Sequence, residues 1–253
     1  MSLEQLIISA ILFFLVATLY SSVGHAGASG YLAIMSFMSF SSTIIKPTSL
    51  VLNILVSLIA SYKYIREKYY KWEVFWPFVI TSMPFAFLGG YLNLDEKIFK
   101  LIAGIFLIIS SIFLIARGYI VKNPDIIKKM PKFAALLIGA AIGFFSGIIG
   151  VGGGIFLSPI LILLCWANAK EASGIAAVFI LLNSITGLLG KIYAVGKIPV
   201  LLLGFSVPSV ILGGIIGATL GTKVINKKII LTILSILLLL AGIKMLVSLI
   251  NFV

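Results

Sequence analysis

Two stretches of this chain carry residues able to hold a small charged ligand. The first, YSSVGHAGASGYLAIMSF (Tyr20–Phe37), contains the single histidine, His25, among Ser22, Gly24, Gly27 and Ser29. The second, FSGIIGVGGGIFLSPIL (Phe145–Leu161), contains Gly150, Gly152, Gly153 and Gly154. In both, glycine and serine interrupt apolar sequence, and a short helix is expected to begin afterwards, near Gly30 and near Ile155. The first N–H groups of a helix lack intrahelical acceptors and carry the positive end of its dipole, so helix starts of this kind bind anions. Glycine leaves no side chain between that backbone and an approaching ligand. Asn53 and Asn183 lie in the middle of two other apolar segments, each followed four residues later by a small residue, Ser57 or Gly187. A carboxamide in hydrocarbon needs a partner, and two remain open: an interhelical hydrogen bond or the substrate itself. His25, with an ordinary pKa near 6.5, is open to three roles: donor to an anion, proton carrier, or satisfied loop residue.

Other chemistries find less support. The seven acidic residues, Glu4, Glu67, Glu73, Asp95, Glu96, Asp125 and Glu171, all fall in or beside expected loops. Cation- and proton-driven pathways usually place carboxylates within the membrane, so an anion pathway built of amides and hydroxyls is the better fit. One His, one Cys and no intramembrane carboxylate offer little to an intramembrane enzyme, which needs a nucleophile or metal set. Cys165 stands alone in an apolar stretch and reads as a small buried hydrophobe. No cofactor or metal is implied.

The elements that must position these residues are helices. Of 253 residues, 61% are hydrophobic and 10% charged, against about 25% charged in an ordinary soluble domain. Apolar runs recur at Leu3–Tyr20, Pro47–Tyr62, Val74–Leu92, Ile98–Ala116, Phe133–Phe145, Ser173–Leu189, Pro199–Leu220 and Ile229–Phe252. Several match the length that crosses roughly 30 Å of hydrocarbon. The fold class is therefore an all-α polytopic membrane protein in the cell membrane. Leu3–Tyr20 has no basic region before it and no clean cleavage site, so it is expected to be a span and not a removed signal. The net charge of +12 sits in short loops. That is the membrane pattern of basic cytoplasmic loops, and it calls for a lipid bilayer as partner and no nucleic acid.

The chain also repeats itself. Ser21–Gly27 overlies Ser146–Gly152, and Leu32 falls on Leu157, all at an offset of 125. Asn53 pairs with Asn183, MPFAFLGG (Met83–Gly90) with VPSVILGG (Val207–Gly214), and Lys97-Ile98 with Lys228-Ile229. The expected organisation is a first transmembrane repeat at 1–120, a basic linker at 121–132 and a second repeat at 133–253. Each repeat holds about four long helices and one short half-helix after the break, as in many transporters. If the short segments Gly30–Phe40 and Ile155–Trp166 count as crossings, thirteen loop cations fall on one side and five on the other. If they return to the side they entered, the split is eleven to seven. The positive-inside rule prefers the sharper asymmetry, hence an inverted 5+5 arrangement over a parallel 4+4, with both termini outside. Lys191, nearly on the face of Asn183, is open to attracting the anion, but is expected to snorkel to the interface. Gly89, Gly90, Gly213, Gly214 and Gly217 read as close-packing residues. The triple glycine Gly152–Gly154 exceeds that need, since each costs about 1 kcal/mol inside a helix.

GIIGVGGGIFLSPILIL (Gly147–Leu163) resembles the signature of the sulfite exporter TauE/SafE family, a G-x-G-G-G segment followed by an apolar run with a proline, here Pro159. Chain length, duplication and the Pro-x-x-x-Leu-Gly-Gly segments are also similar. The first half departs from that pattern, with Ala28 and Ser29 in place of glycines and Ile34 in place of proline. The resemblance implies movement of sulfite, sulfonates, thiosulfate or similar sulfur oxyanions. The function expected is a secondary transporter or facilitator working by alternating access. The rivals are an anion-selective channel, an intramembrane enzyme and a membrane subunit with no pathway of its own. Substrate-binding residues are expected among those of the two breaks and the two asparagines, the partner being a small sulfur oxyanion or organosulfonate. A homodimer is compatible with the sequence.

Overall fold

A computed structural model describes residues 3–22, 25–119, 127–196, 198–220 and 227–250. Among them the chain forms ten helices and no strand: α1 (Leu3–Ser22), α2 (Ala28–Phe37), α3 (Ser42–Arg66), α4 (Trp72–Tyr91), α5 (Glu96–Tyr119), α6 (Lys132–Ile149), α7 (Gly154–Leu163), α8 (Ala169–Val195), α9 (Val200–Leu220) and α10 (Lys227–Ile250). Eight are long and apolar enough to cross a membrane, while α2 and α7 have ten residues each. At 1.5 Å per residue those two reach only about 15 Å, half a hydrocarbon core. They begin two or fewer residues before the expected starts, at Ala28 and Gly154. Half of the expected linker, residues 121–126, lies outside the described residues, as does Gly24.

The two short helices occupy the middle. Every residue from Ala28 to Ser36 is buried, and so is α7 except Ile160 and Leu163. The long helices surround them and turn isoleucine and leucine outward, such as Ile7, Ile11 and Leu15 on α1 and Ile233, Ile236 and Leu240 on α10. An apolar exterior of this extent suits lipid and not water.

Glycine contacts define how the helices run. A Cβ on Gly139 would stand 2.4 Å from the Phe78 carbonyl oxygen, one on Gly143 2.3 Å from that of Ser82, and one on Gly147 2.2 Å from that of Ala86. The numbers rise together, so α4 and α6 are parallel. The same holds for α9 on α1, where Gly213 meets Phe14 and Gly217 meets Thr18. It holds as well for α3 with α9 (Val56 near Gly214, Lys63 Nζ donating to the Ala218 carbonyl) and for α4 with α8 (Lys71 paired with Glu171, Gly90 against Gly187). By contrast α3 and α8 are antiparallel, with Asn53 at Ser184 and Tyr64 at Gly174, and so are α5 and α10, where Gly104 meets Leu246 and Ile108 meets Gly242. At Gly89, Gly90, Gly213 and Gly217 an added Cβ would strike backbone within 2.5 Å, so these glycines serve close packing, as the sequence suggests.

Each short helix turns back along its predecessor. Gly30 of α2 lies against Val16 and Tyr20, and Ser9 reaches Met38 at its far end. Likewise α7 leaves Gly153, beside Ile142 and Ser146, and ends where the Cys165 carbonyl accepts from the Lys128 N–H, ahead of α6. Both pairs, α1–α2 and α6–α7, are thus hairpins folded at a glycine break. Cys165 corrects an expectation: it is half-exposed in the turn after α7, with φ 60°, and is not a core hydrophobe.

Candidate functional site

The second break is built from left-handed glycines. Gly150 (φ 89°) closes α6, its N–H donating to the Ser146 carbonyl at 2.8 Å. Gly152 (φ 74°) and Gly153 (φ 79°) then reverse the chain, and α7 starts with no side-chain cap. L-residues rarely adopt these angles. The N–H groups of Gly152, Gly153, Gly154 and Ile155 have no acceptor among the described residues. Space also demands glycine: a Cβ at Gly152 would be 2.5 Å from Asn53 Nδ2 and 2.6 Å from Ser184 Oγ. Asn53 arrives from α3 and its Nδ2 donates to the Val151 carbonyl (3.1 Å) and to Ser184 Oγ (3.0 Å).

At the first break, Gly27 (φ 96°) precedes α2, and the N–H groups of Ala28, Ser29 and Gly30 likewise have no acceptor among the described residues. The Tyr31 hydroxyl donates to the Ala26 carbonyl at 3.1 Å. Ser29 Oγ pairs with the Tyr20 hydroxyl at 2.8 Å, and Ser22 Oγ donates to the Leu19 carbonyl of its own helix. His25 is buried, and its Nε2 lies 3.4 Å from Ser158 Oγ on α7. Ser158 is one helical turn past Gly154, so the tips of the two hairpins meet there, 133 residues apart in sequence. The positive ends of α2 and α7 thus share one buried region.

Several buried polar atoms in this region have no partner. Asn183 Nδ2 donates to the Phe179 carbonyl of its own helix, leaving Oδ1 unpaired, and Asn53 Oδ1 is unpaired too. So are Ser146 Oγ and Ser21 Oγ, which are equivalent at the 125-residue offset. The structure therefore brings together Asn53, Gly150, Gly152, Gly153 and Gly154 at one tip, and His25, Gly27 and Ser29 at the other. Ser22 points its hydroxyl back into α1.

Two lysines lie closer to this region than sequence reasoning placed them. Lys46 lies inside α3 with 4% exposure, and Lys191 near the end of α8 with 5%, so neither is a loop residue. Lys46 Nζ donates to the carbonyls of Gly89 (2.9 Å), Gly90 (2.9 Å) and Leu92 (3.2 Å), which uses all three hydrogens of an ammonium. Lys191 Nζ donates to Asn93 Oδ1 at 2.8 Å. Both sit at the carbonyl end of α4, the negative end of its dipole. Neither has a carboxylate partner among the described residues, and a Cβ at Gly150 would stand 2.9 Å from the Lys46 carbonyl oxygen. The second break thus packs against the backbone of Lys46, whose ammonium is turned to the end of α4. The only hint in sequence was a lysine just outside each apolar run, before Pro47 and after Leu189.

Known proteins bear on what such an arrangement does. Residues 9–245 match the family described as sulfite exporter TauE/SafE. A probable membrane transporter protein of Sinorhizobium fredii is 38% identical over 240 residues, covering 94% of this chain and 96% of that protein. Another from Methanocaldococcus jannaschii is 32% identical over 72% of this chain and 69% of its own length. A third, from Bacillus subtilis, is 27% identical over 77% of each. No solved structure matches the chain significantly.

Proposed function

Since the chain belongs to the sulfite exporter TauE/SafE family and is a multi-pass membrane transporter, we propose that it moves a small sulfur-containing anion, such as sulfite, a sulfonate or thiosulfate, by alternating access. The observation that carries this reading is the meeting of the two glycine breaks at His25 and Ser158, with bare amide hydrogens on both sides. Helix starts of this kind favour negative charge. The absence of carboxylates from the buried parts of the described helices fits an anion better than a cation. An anion leaving a negative cytoplasm gains about 2.3 kcal/mol per charge per 100 mV, so export needs no coupling ion.

The second part of the proposal is that α1–α5 and α6–α10 are inverted repeats. What supports it is helix direction. α1 runs with α9, α9 with α3, α3 against α8, α8 with α4, and α4 with α6. Hence α1 and its counterpart α6 point opposite ways, and so do α3 and α8. The contacts exchange in the same manner: α4 with α6 answers α9 with α1, and α2 with α10 answers α7 with α5. Alternating access then consists of one half rocking against the other around the shared tips.

Sulfite counterflow in proteoliposomes tests the transport reading. Internal unlabelled sulfite should accelerate entry of labelled sulfite; ohmic current without such acceleration would make the protein a channel. Topology has its own test. Cys165, at the end of α7, and a cysteine placed as Ser39→Cys in a Cys165→Ser background, at the end of α2, should react with an impermeant maleimide from opposite sides. Labelling from one side would overturn the inverted arrangement.

A further inference from the structure

The unpaired groups at the second break are of two kinds, and they call for more than a bare anion. The N–H groups of Gly152–Ile155 and the Ser146 hydroxyl are donors. Asn53 Oδ1 and Asn183 Oδ1 are acceptors, on side chains 1% and 0% exposed. Their identity as oxygens is fixed by the network, because the other end of each carboxamide faces a carbonyl, Val151 for Asn53 and Phe179 for Asn183, and only an N–H satisfies that. Asn53 reaches the break directly. Asn183 lies one turn after Phe179 on α8, whose ring edge meets Gly153, and one turn before Gly187, which backs onto Gly147, so it faces the end of α6.

An unpaired carbonyl oxygen is costly to bury and would repel a fully deprotonated anion. A ligand that brings negative oxygens to the amides and its own hydrogen to the carboxamide oxygens satisfies both sets. We infer that the site selects a singly charged anion carrying its own O–H donor, either a hydroxyl-bearing sulfonate or a hydrogen-bearing inorganic oxyanion. This rests on the anion-transport reading above and sharpens its substrate class.

Two isosteric probes decide it: 2-hydroxyethanesulfonate and propane-1-sulfonate, which differ by one hydroxyl in place of a methyl. Each is titrated by calorimetry into the full chain in detergent, in one mildly acidic buffer, beside hydrogensulfite. The hydroxyl compound should bind about tenfold or more tightly than its isostere, and Asn183→Leu should reduce that preference to under about threefold. If that variant does not fold, the wild-type ratio decides alone. Binding of hydrogensulfite with rejection of both sulfonates supports the inorganic form of the ligand. Equal binding of the two sulfonates would assign the carboxamide oxygens to water and overturn the inference while leaving anion transport standing. No binding of any of the three would overturn the transport reading with it.

Discussion

At the first break the Ala26 carbonyl accepts from the Tyr31 hydroxyl, a residue of the very helix that the break introduces. At the second, the equivalent carbonyl, Val151, accepts from Asn53, which belongs to α3 in the other half of the chain. Phe156 stands where Tyr31 does and has no hydroxyl; its ring packs instead on Phe106, with centroids 4.3 Å apart. The same backbone demand is met locally at one break and by a distant helix at the other. A locally closed break moves as a unit with its own hairpin. A break tied to α3 cannot shift without stretching or exchanging that bond, so the second break senses the position of the first half. Asn183, the counterpart of Asn53, spends its N–H on its own helix and forms no such tie.

The comparison is broken most severely by adding a methyl group at the glycines. Gly152→Ala meets both a left-handed φ and a Cβ 2.5 Å from Asn53 Nδ2, and should cost about 2–5 kcal/mol. Gly27→Ala has a similar φ but meets only the far end of the Tyr31 side chain, ring and hydroxyl at 3.0 Å, so its cost should stay near 1–2 kcal/mol. Thermal unfolding in detergent and sulfite flux should both rank the two variants in that order. Equal losses would mean that the cross-repeat contact adds nothing to backbone strain.

Next come the donors themselves. Asn53→Leu and Tyr31→Phe each leave one buried carbonyl unpaired, at about 1–3 kcal/mol. Tyr31→Phe should lower stability and leave the relation between transport and stability unchanged. Asn53→Leu should slow transport beyond its effect on stability, because the tether between halves is lost. Matched transport rates in the two variants would argue against that role. The smallest effect is expected for Ser22→Ala, which removes a hydroxyl bonded within α1; flux and melting temperature should move by no more than about 0.5 kcal/mol equivalent. A large loss of flux there would return Ser22 to the site.

Much of this was legible in the residues. Long apolar runs mark spans because hydrocarbon thickness sets helix length, and all eight appear as long helices. Glycine clusters mark breaks because left-handed backbone excludes side chains, and Gly27, Gly150, Gly152 and Gly153 all have positive φ. Lys46 and Lys191 were less legible because a lysine at the edge of an apolar run has two physical outcomes. It reaches for water, or it is buried against carbonyl oxygens, and the choice depends on whether a helix end is nearby.

Sequence by itself determined the local terms: which segments are apolar enough to span, where the chain must turn, and which positions tolerate no side chain. Each follows from a residue and its near neighbours. Only the tertiary structure decided which donor meets which acceptor, since Asn53 and Val151 are 98 residues apart and Lys46 and Gly89 are 43 apart. Hydrogen bonds act over about 3 Å and leave no periodic trace along a chain, so packing alone brought these partners together.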